Sequence, residues 1–324
     1  MSRKKKRILL ISLSSIIIII IALGFVLSNM MAGYDNMTFD EVYGSAKMKN
    51  HFGIGENRDP ADYGFRNFET REFMSEDDGI RLHAWYVPSK NRTSKKCIIF
   101  LHGQTSNKLK TMKYLSLIKE KNLDLDHACF FPDFRHSGMS ESGKTGLGYE
   151  YAEDTYYSIR YCADKLGYTN FILYGFSQGA MAVLVMLDRG DYYSSLTKDG
   201  ISIDKIIFDS PLCNITDTIV HEAVDNQHYP EFLIRFGLAA FNLRHCFYLP
   251  RMRLSRLYAD TEIPLLILQA LDDPTVPAVI LKDELSRMDN PHVRVHYFKN
   301  GLHVKLLRNN RQEYMNIVSK FIRE

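Results

Sequence analysis

The sequence contains few cysteines, and no two of them are spaced as a pair. Five are spread over 324 residues without a C-x-x-C arrangement: Cys97, Cys129, Cys162, Cys213 and Cys246. An odd, dispersed set of this kind supports neither a disulfide framework nor a zinc site. Cys97 and Cys129 lie in apolar runs, where a free thiol behaves as a small hydrophobic side chain. We therefore expect a fold that needs no disulfide.

The sequence also lacks an excess of charge over most of its length. The formal net charge is +3, but five positive charges lie within residues 3–7, so the rest of the chain carries −2. Neither a basic stripe nor an acidic tail follows, and we expect no nucleic-acid partner. No internal repeat occurs, which argues against a propeller of repeated blades.

One long uncharged run lies near the N-terminus, at residues 8–27. As a helix it would extend about 30 Å, the thickness of the hydrocarbon core of a bilayer. By the positive-inside rule, the basic tail at residues 1–7 should stay in the cytoplasm. We predict a single-pass signal anchor with the remaining chain outside the cytoplasm. Secretion after cleavage near Ala22 and Gly24 is the alternative, although the run exceeds the usual core of a signal peptide.

The body of the chain reads as alternating strands and helices. Residues 28–66 have little periodicity and predict a juxtamembrane linker with one helix around residues 38–49. From residue 67, two strand-like runs flank Asp77-Asp78-Gly79 and predict an antiparallel hairpin. Apolar strands then alternate with helices, which predicts a mostly parallel sheet covered on both faces over residues 67–324. Residues 214–261 are too long for a simple crossover and predict a small helical cap.

The expected element boundaries follow from these patterns. After the hairpin (residues 68–75 and 81–87), strands are predicted at residues 97–101, 127–131, 171–174, 203–208, 263–268 and 292–298. Helices are predicted at residues 108–121, 149–166, 180–187, 278–288 and 304–322.

The segment Gly175-Phe176-Ser177-Gln178-Gly179 fits the G-x-S-x-G pattern of a nucleophile elbow. An apolar strand precedes it and an apolar helix follows, which is the context that the elbow requires. The glycines remove Cβ atoms that would clash in so sharp a turn. We therefore predict Ser177 as a nucleophile.

Partners for Ser177 occur downstream in the order acid, then base. Asp273 follows the strand predicted at residues 263–268 and stands three residues before Val276-Pro277, with the adjacent Asp272 and the more remote Asp209 as alternatives. Among eleven histidines, His303 lies in the loop between the last predicted strand and the last helix. The alternative role for Asp272 and Asp273 is to cap the turn before the next helix.

The other histidines give no metal motif. His292 and His296 are four residues apart, but they sit in a strand pattern rather than on a helix, and no H-E-x-x-H occurs. We expect neither a metal nor an organic cofactor.

The motifs together resemble the α/β-hydrolase superfamily from about residue 59 to residue 324. The matching pieces are residues 60–64, the hairpin from residue 78 to residue 88, His102-Gly103, residues 133–140, the elbow, Asp209-Ser210-Pro211, Asp273 with Val276-Pro277, and Gly301-Leu302-His303. The chain is most similar to membrane-anchored or exported bacterial serine hydrolases related to acyl-protein thioesterases and prolyl-oligopeptidase-type esterases. Two departures are His136 and Gln178, where the family usually has Gly and often has Met or Gly, respectively.

The resemblance implies acyl transfer through serine. His303 would take the proton from Ser177, and Asp273 would orient His303. The backbone N–H groups of Gln104 and Gln178 would bind the oxyanion. The implied function is hydrolysis of a carboxylic ester or thioester with a lipid-like or small acyl group. A prolyl-oligopeptidase-type peptidase and a non-catalytic binding module remain as alternatives.

Overall fold

The computed structural model describes residues 3–34, 36–245 and 247–324. Cys246 and the first two residues of the predicted basic tail lie outside the described residues. Helix α1 (Arg3–Ala32) has a segment, Lys5–Ala32, that is long and apolar enough to cross a membrane. The helix continues past the predicted span of residues 8–27, because its last turns pack against another helix described below.

Residues 28–66 differ from the predicted linker with one helix around residues 38–49. They contain the end of α1, the helices α2 (Phe39–Tyr43) and α3 (Ala46–Phe52), and a 3₁₀ turn at Pro60–Tyr63. Thr38 forms a capping box at the start of α2: its hydroxyl accepts the N–H of Glu41, and the Glu41 carboxylate accepts the N–H of Thr38. Val42 and Phe52 are fully buried, so this segment is part of the packed body.

An eight-stranded sheet forms the centre of the molecule. Its strands are β1 (Glu69–Ser75), β2 (Ile80–Val87), β3 (Lys96–Leu101), β4 (His127–Pro132), β5 (Asn170–Phe176), β6 (Ser202–Asp209), β7 (Leu265–Ala270) and β8 (Val293–Phe298). Their order is β1-β2-β4-β3-β5-β6-β7-β8. Strand β2 is antiparallel to β1 and β4, whereas all later neighbours are parallel. The predicted hairpin and mostly parallel sheet are confirmed.

Helices cover both faces of the sheet. They are α4 (Lys108–Met112), α5 (Leu115–Glu120), α6 (Tyr151–Asp164), α7 (Gln178–Asp188), α8 (Tyr192–Lys198), α12 (Ala278–Ser286), α13 (Leu306–Asn309) and α14 (Arg311–Arg323). The predicted helices over residues 108–121 and 304–322 are each divided into two, and α8 has no counterpart in the sequence prediction.

The central strand β5 shows how the core is divided between the two faces. Phe171 and Leu173 point into a cluster with α6, α7 and the cap. Ile172 and Tyr174 point into a second cluster with α2 to α5, α13 and α14. Successive side chains of a strand face opposite sides, and β5 is apolar on both sides because both are covered.

The segment after β6 forms a helical cap. It contains α9 (Ile215–Val220), a π-helical turn at His221–Asn226, α10 (Glu231–Arg244), a 3₁₀ turn at Leu249–Arg251 and α11 (Leu254–Leu257). Helix α10 packs along the end of α1. A Cβ on Gly24 would lie 3.1 Å from the Phe236 ring, and Arg244 Nη1 donates to Asn29 Oδ1 at 2.6 Å.

Candidate active site

Ser177 lies in a strained turn between β5 and α7. Its φ of 52° and ψ of −117° are unusual for a residue with a side chain. The flanking glycines permit the turn: a Cβ on Gly179 would lie 2.2 Å from Leu101 O, and one on Gly175 would lie 2.7 Å from Ala180 Cα. Strain of this kind is common at functional sites, where the surrounding packing maintains it.

His303 contacts both of its predicted partners. Its Nε2 lies 2.8 Å from Ser177 Oγ, and its Nδ1 lies 2.9 Å from Asp273 Oδ2. The other carboxylate oxygen of Asp273 accepts the N–H groups of Thr275 and Val276 at 2.9 and 3.0 Å. The carboxylate is therefore held by its own turn while it faces the imidazole.

The two alternative acids occupy other positions. Asp272 Oδ1 accepts the N–H of Gly301 at 2.7 Å and so fixes the loop that carries His303. Asp209 is fully buried, and its Oδ2 accepts the hydroxyls of Tyr114 and Tyr314 at 2.8 and 2.7 Å. In the part of the chain that the structure describes, neither carboxylate forms a hydrogen bond with His303.

His102 is a buried support of the loop after β3. Its Nε2 accepts the Phe134 N–H at 3.0 Å, so Nδ1 carries the proton and donates to Gly103 O at 2.8 Å. Burial lowers the pKa of His102 to about 4. A Cβ on Gly103 would lie 2.9 Å from Ser177 Cβ, and only glycine allows the loop to approach the serine so closely.

Gln104 and Gln178 lie on the wall of the same cavity as Ser177 and His303. Gln178 is the first residue of α7, where backbone N–H groups have no partner within the helix. Gln104 follows Gly103 in the loop after β3. Both residues that are predicted to supply oxyanion donors thus line the cavity that Ser177 also lines.

A buried ion pair behind this loop was not anticipated from the sequence. Lys108 and Asp133 are both fully buried and form a salt bridge. Asp133 also accepts the N–H groups of Lys108 and Met139, at 2.7 and 3.0 Å. The sequence does single out Asp133, because it is the first residue of the run 133–140 that resembles the family. Nothing in the sequence identifies Lys108 as its partner.

His136, a departure from the family pattern, has a φ of 56°. This left-handed conformation favours glycine, which explains the family's preference. In this chain the imidazole Nε2 lies 2.9 Å from Tyr34 O, so the residue connects the loop to the segment after α1.

The cavity has a volume of about 780 Å³, within the range of small-molecule sites. Much of its lining is apolar and comes from α1 and from the cap: Leu27, Met30, Met31, Leu212, Ile219, Ala223, Leu233 and Ile234. The contribution of α1 was missed in the sequence, because a membrane-spanning pattern does not reveal which residues pack against the body.

The described residues include one group of acids close enough to hold a metal, consisting of Asp217, Asp283 and Glu284. The Arg253 guanidinium forms a salt bridge with Glu284 there and supplies positive charge of its own. His296, from the histidine pair considered above, lies with Nε2 2.9 Å from Glu313 Oε1.

Comparison with known proteins agrees with this architecture. A sequence family described as the alpha/beta hydrolase fold matches residues 96–227, the part that contains β3, the elbow and the start of the cap. The chain has the α/β-hydrolase fold. The match includes Gly103, Ser177 and Gln178 but ends before Asp273 and His303.

Two relatives of this chain are distant in sequence. The uncharacterized protein YqkD of Bacillus subtilis is 22% identical over 320 residues, which cover 97% of this chain and 96% of YqkD. The uncharacterized protein YfhR of Escherichia coli is 27% identical over 166 residues, 50% of this chain and 53% of YfhR. The structure of the esterase Pf2001 of Pyrococcus furiosus superposes with a TM-score of 0.62 at 21% identity, over 82% of this chain and 94% of the esterase.

Proposed function

We propose that this α/β-hydrolase is a serine hydrolase that cleaves carboxylic ester or thioester bonds through an acyl-enzyme. The observation that carries the proposal is the position of His303, whose two ring nitrogens lie 2.8 Å from Ser177 Oγ and 2.9 Å from Asp273 Oδ2. Nucleophile, base and orienting acid in contact are the arrangement that activates a serine hydroxyl.

In the first step, Ser177 Oγ attacks the acyl carbonyl carbon while its proton moves to His303 Nε2. Asp273 holds the proton on Nδ1, which leaves Nε2 free as a base, and its charge stabilises the imidazolium that forms. The imidazolium then gives its proton to the leaving alcohol or thiol, and the acyl group stays on Ser177.

In the second step, water replaces the leaving group. His303 takes a proton from the water as it attacks the acyl-enzyme, and the carboxylic acid is released with Ser177 restored. In both steps, the N–H groups of Gln104 and Gln178 bind the developing oxyanion. Removal of one such donor typically costs about 3 kcal/mol of transition-state stabilisation.

The lining of the cavity supports a lipid-like acyl group as the substrate's apolar part. Leu27 and Met31 from α1, with Leu233 and Ile234 from α10, form one wall of the cavity that Ser177 faces. Burial of a methylene against such a wall contributes about 0.8 kcal/mol, so affinity should increase with chain length. The esterase activity named for the similar Pyrococcus protein is consistent with this substrate class.

We further propose that α1 remains as a signal anchor with the catalytic domain outside the cytoplasm. Its last turns pack on the cap, so cleavage near Gly24 would remove part of that contact. Intact mass of the protein extracted from membranes tests this proposal: loss of the first 24 residues would favour secretion after cleavage.

A fluorophosphonate probe tests the proposed nucleophile. The folded protein should be labelled, the Ser177→Ala variant should not, and a Ser142→Ala variant at an exposed serine should be labelled like wild type. Labelling that survives Ser177→Ala would reject the assignment, and no labelling of wild type would favour the non-catalytic alternative.

Matched substrates then identify the bond. A series of 4-nitrophenyl esters and acyl thioesters of increasing chain length should be hydrolysed, with kcat/KM rising beyond short chains. Cleavage of proline-containing peptides without ester hydrolysis would favour the peptidase alternative instead.

A further inference from the structure

A lysine that no proposed catalytic step uses lies on the wall of the active-site cavity. Lys110 belongs to α4, directly after the loop that carries Gln104, and lines the same cavity as Ser177 and His303. It is 9% exposed, so nearly all of this cationic side chain is removed from solvent.

Lys110 has no acidic partner among the described residues. Its Nζ donates to His51 Nε2 at 3.4 Å and lies 5.7 Å from the centre of the Phe52 ring. The described lining of the cavity includes one carboxylate, Glu222, whose two oxygens accept the side-chain amides of Asn226 and Gln227 at 2.7 and 3.0 Å.

A buried hydroxyl without a hydrogen-bond partner lines the same cavity. Ser106 is 2% exposed and lines the cavity, and its hydroxyl has no hydrogen-bond partner among the described residues. It stands four residues before Lys110 and two residues before the first residue of α4. The intervening Asn107 is fully buried, and its amide donates to Met37 O at 2.7 Å.

Such an arrangement is unfavourable unless a ligand completes it. A buried ammonium without an opposite charge loses its hydration, as does a buried hydroxyl without a hydrogen-bond partner, and an anionic ligand compensates for both losses. Burial lowers the pKa of Lys110 to about 8, with Lys305 acting in the same direction and Asp209 opposing it. At neutral pH the side chain is therefore mainly charged, with ammonium hydrogens to spare after the His51 contact.

We infer that Ser106 and Lys110 form an anion-binding subsite that holds a carboxylate or phosphate group of the acyl ester substrate. The inference rests on the proposed function and narrows it to anionic amphiphiles. The apolar wall from α1 and α10 takes the acyl chain, while Lys110 supplies charge and Ser106 a hydroxyl donor to the anionic oxygens.

Esters matched in size but not in charge test the subsite kinetically. Neutral 4-nitrophenyl octanoate is compared with two anionic esters. The first is 4-nitrophenyl hydrogen suberate, which carries a carboxylate on the acyl chain. The second is 3-carboxy-4-nitrophenyl octanoate, which carries a carboxylate on the leaving group. Wild type should hydrolyse one of the two anionic esters with a higher kcat/KM than the neutral ester. Lys110→Met should lower that preference, the ratio of kcat/KM values, by about tenfold, mainly through KM.

Three variants control for indirect effects. Lys110→Arg keeps the charge and should restore most of the preference, Ser106→Ala should lower it by a smaller factor, and Lys47→Met at an exposed lysine on α3 should leave it unchanged. Circular dichroism and thermal unfolding of the detergent-solubilised full chain show that each variant is folded.

Calorimetric binding of octyl phosphate, with octanol as the neutral control, separates this inference from the proposed function. Octyl phosphate should bind wild type about tenfold more tightly than Lys110→Met. If no ester is hydrolysed but this difference remains, the subsite stands and the proposed function fails. If only the carboxylate esters depend on Lys110, the recognised group is a carboxylate. If only octyl phosphate depends on Lys110, the recognised group is a phosphate. Independence from Lys110 in both assays, with esters hydrolysed, overturns the subsite alone.

Discussion

Met31 of α1 lies directly against Gly237 of the cap helix α10. A Cβ on Gly237 would come within 2.7 Å of Met31 Cε and 3.0 Å of Leu27 Cβ, closer than neighbouring atoms normally approach. Because Leu27 and Met31 also line the cavity, the contact makes the apolar N-terminal helix a structural part of the site rather than a separate tether.

Gly237→Val should separate the two helices and alter the acyl wall. Overpacking of this kind typically costs about 1–3 kcal/mol. We expect kcat/KM for long-chain 4-nitrophenyl esters to fall severalfold more than for the acetate. Ala239→Val, at an exposed position on the same helix, should leave the chain-length profile unchanged. Equal losses for short and long chains would contradict a role for α1 in the wall.

The two adjacent aspartates should differ in their effect on catalysis. Asp273→Asn removes the charge that faces His303 Nδ1 and should lower kcat by about 10⁴-fold. Asp272→Asn affects only the backbone of Gly301, and a decrease of about tenfold is expected from the weakened loop. Steady-state kinetics on one ester compares them, and the reverse order would assign the acid to Asp272.

The proposed preference for anionic esters should depend on pH through Lys110. The ammonium is lost as pH rises through about 8, so the ratio of anionic to neutral kcat/KM should be constant below pH 7 and fall above pH 8. The charged and titratable groups around Lys110 are His51, Lys113, Lys305 and Asp209. In Lys110→Arg the ratio should stay flat to pH 10; a fall in that variant as well would point to another group.

Acid should destabilise the fold through His102. Its pKa is about 4 in the folded chain and about 6.5 when unfolded, so the unfolded state binds the proton first as pH falls. The free energy of unfolding therefore decreases by up to about 3 kcal/mol through this group as pH falls from about 6.5 to about 4. Urea unfolding midpoints at pH 7 and pH 4.5 measure the decrease. It should be smaller in His102→Gln, which cannot be protonated, and an equal decrease in that variant would exclude His102 as the source.

Local pattern was sufficient to predict the sheet and the position of Ser177. Strands such as β3 and β5 are apolar on both faces, and the glycines around Ser177 mark the sharp turn between β5 and α7. Asp273 and His303 were placed by their position after strands, since the carboxyl ends of parallel strands meet at one edge.

Long-range packing was not predictable from the same patterns. Residues 28–66 have little periodicity, which predicts a linker, and their helices α2 and α3 are only five and seven residues long, yet Val42 and Phe52 are fully buried. The partner of Asp133 is Lys108, 25 residues away, and no local rule selects one lysine among many. Lys110 likewise lines the cavity because of the way in which α3 and α4 pack.

The buried cysteines determine how the protein responds to oxidants in its surroundings. Four free cysteines lie among the described residues, all of them buried: Cys97, Cys129, Cys162 and Cys213. Burial raises the pKa of Cys97, Cys129 and Cys213, which keeps the reactive thiolate scarce. These sulfurs therefore act as packing atoms with little redox chemistry. If the catalytic domain lies outside the cytoplasm, as we propose, oxidants there would reach the surface of the protein and leave these four thiols unchanged.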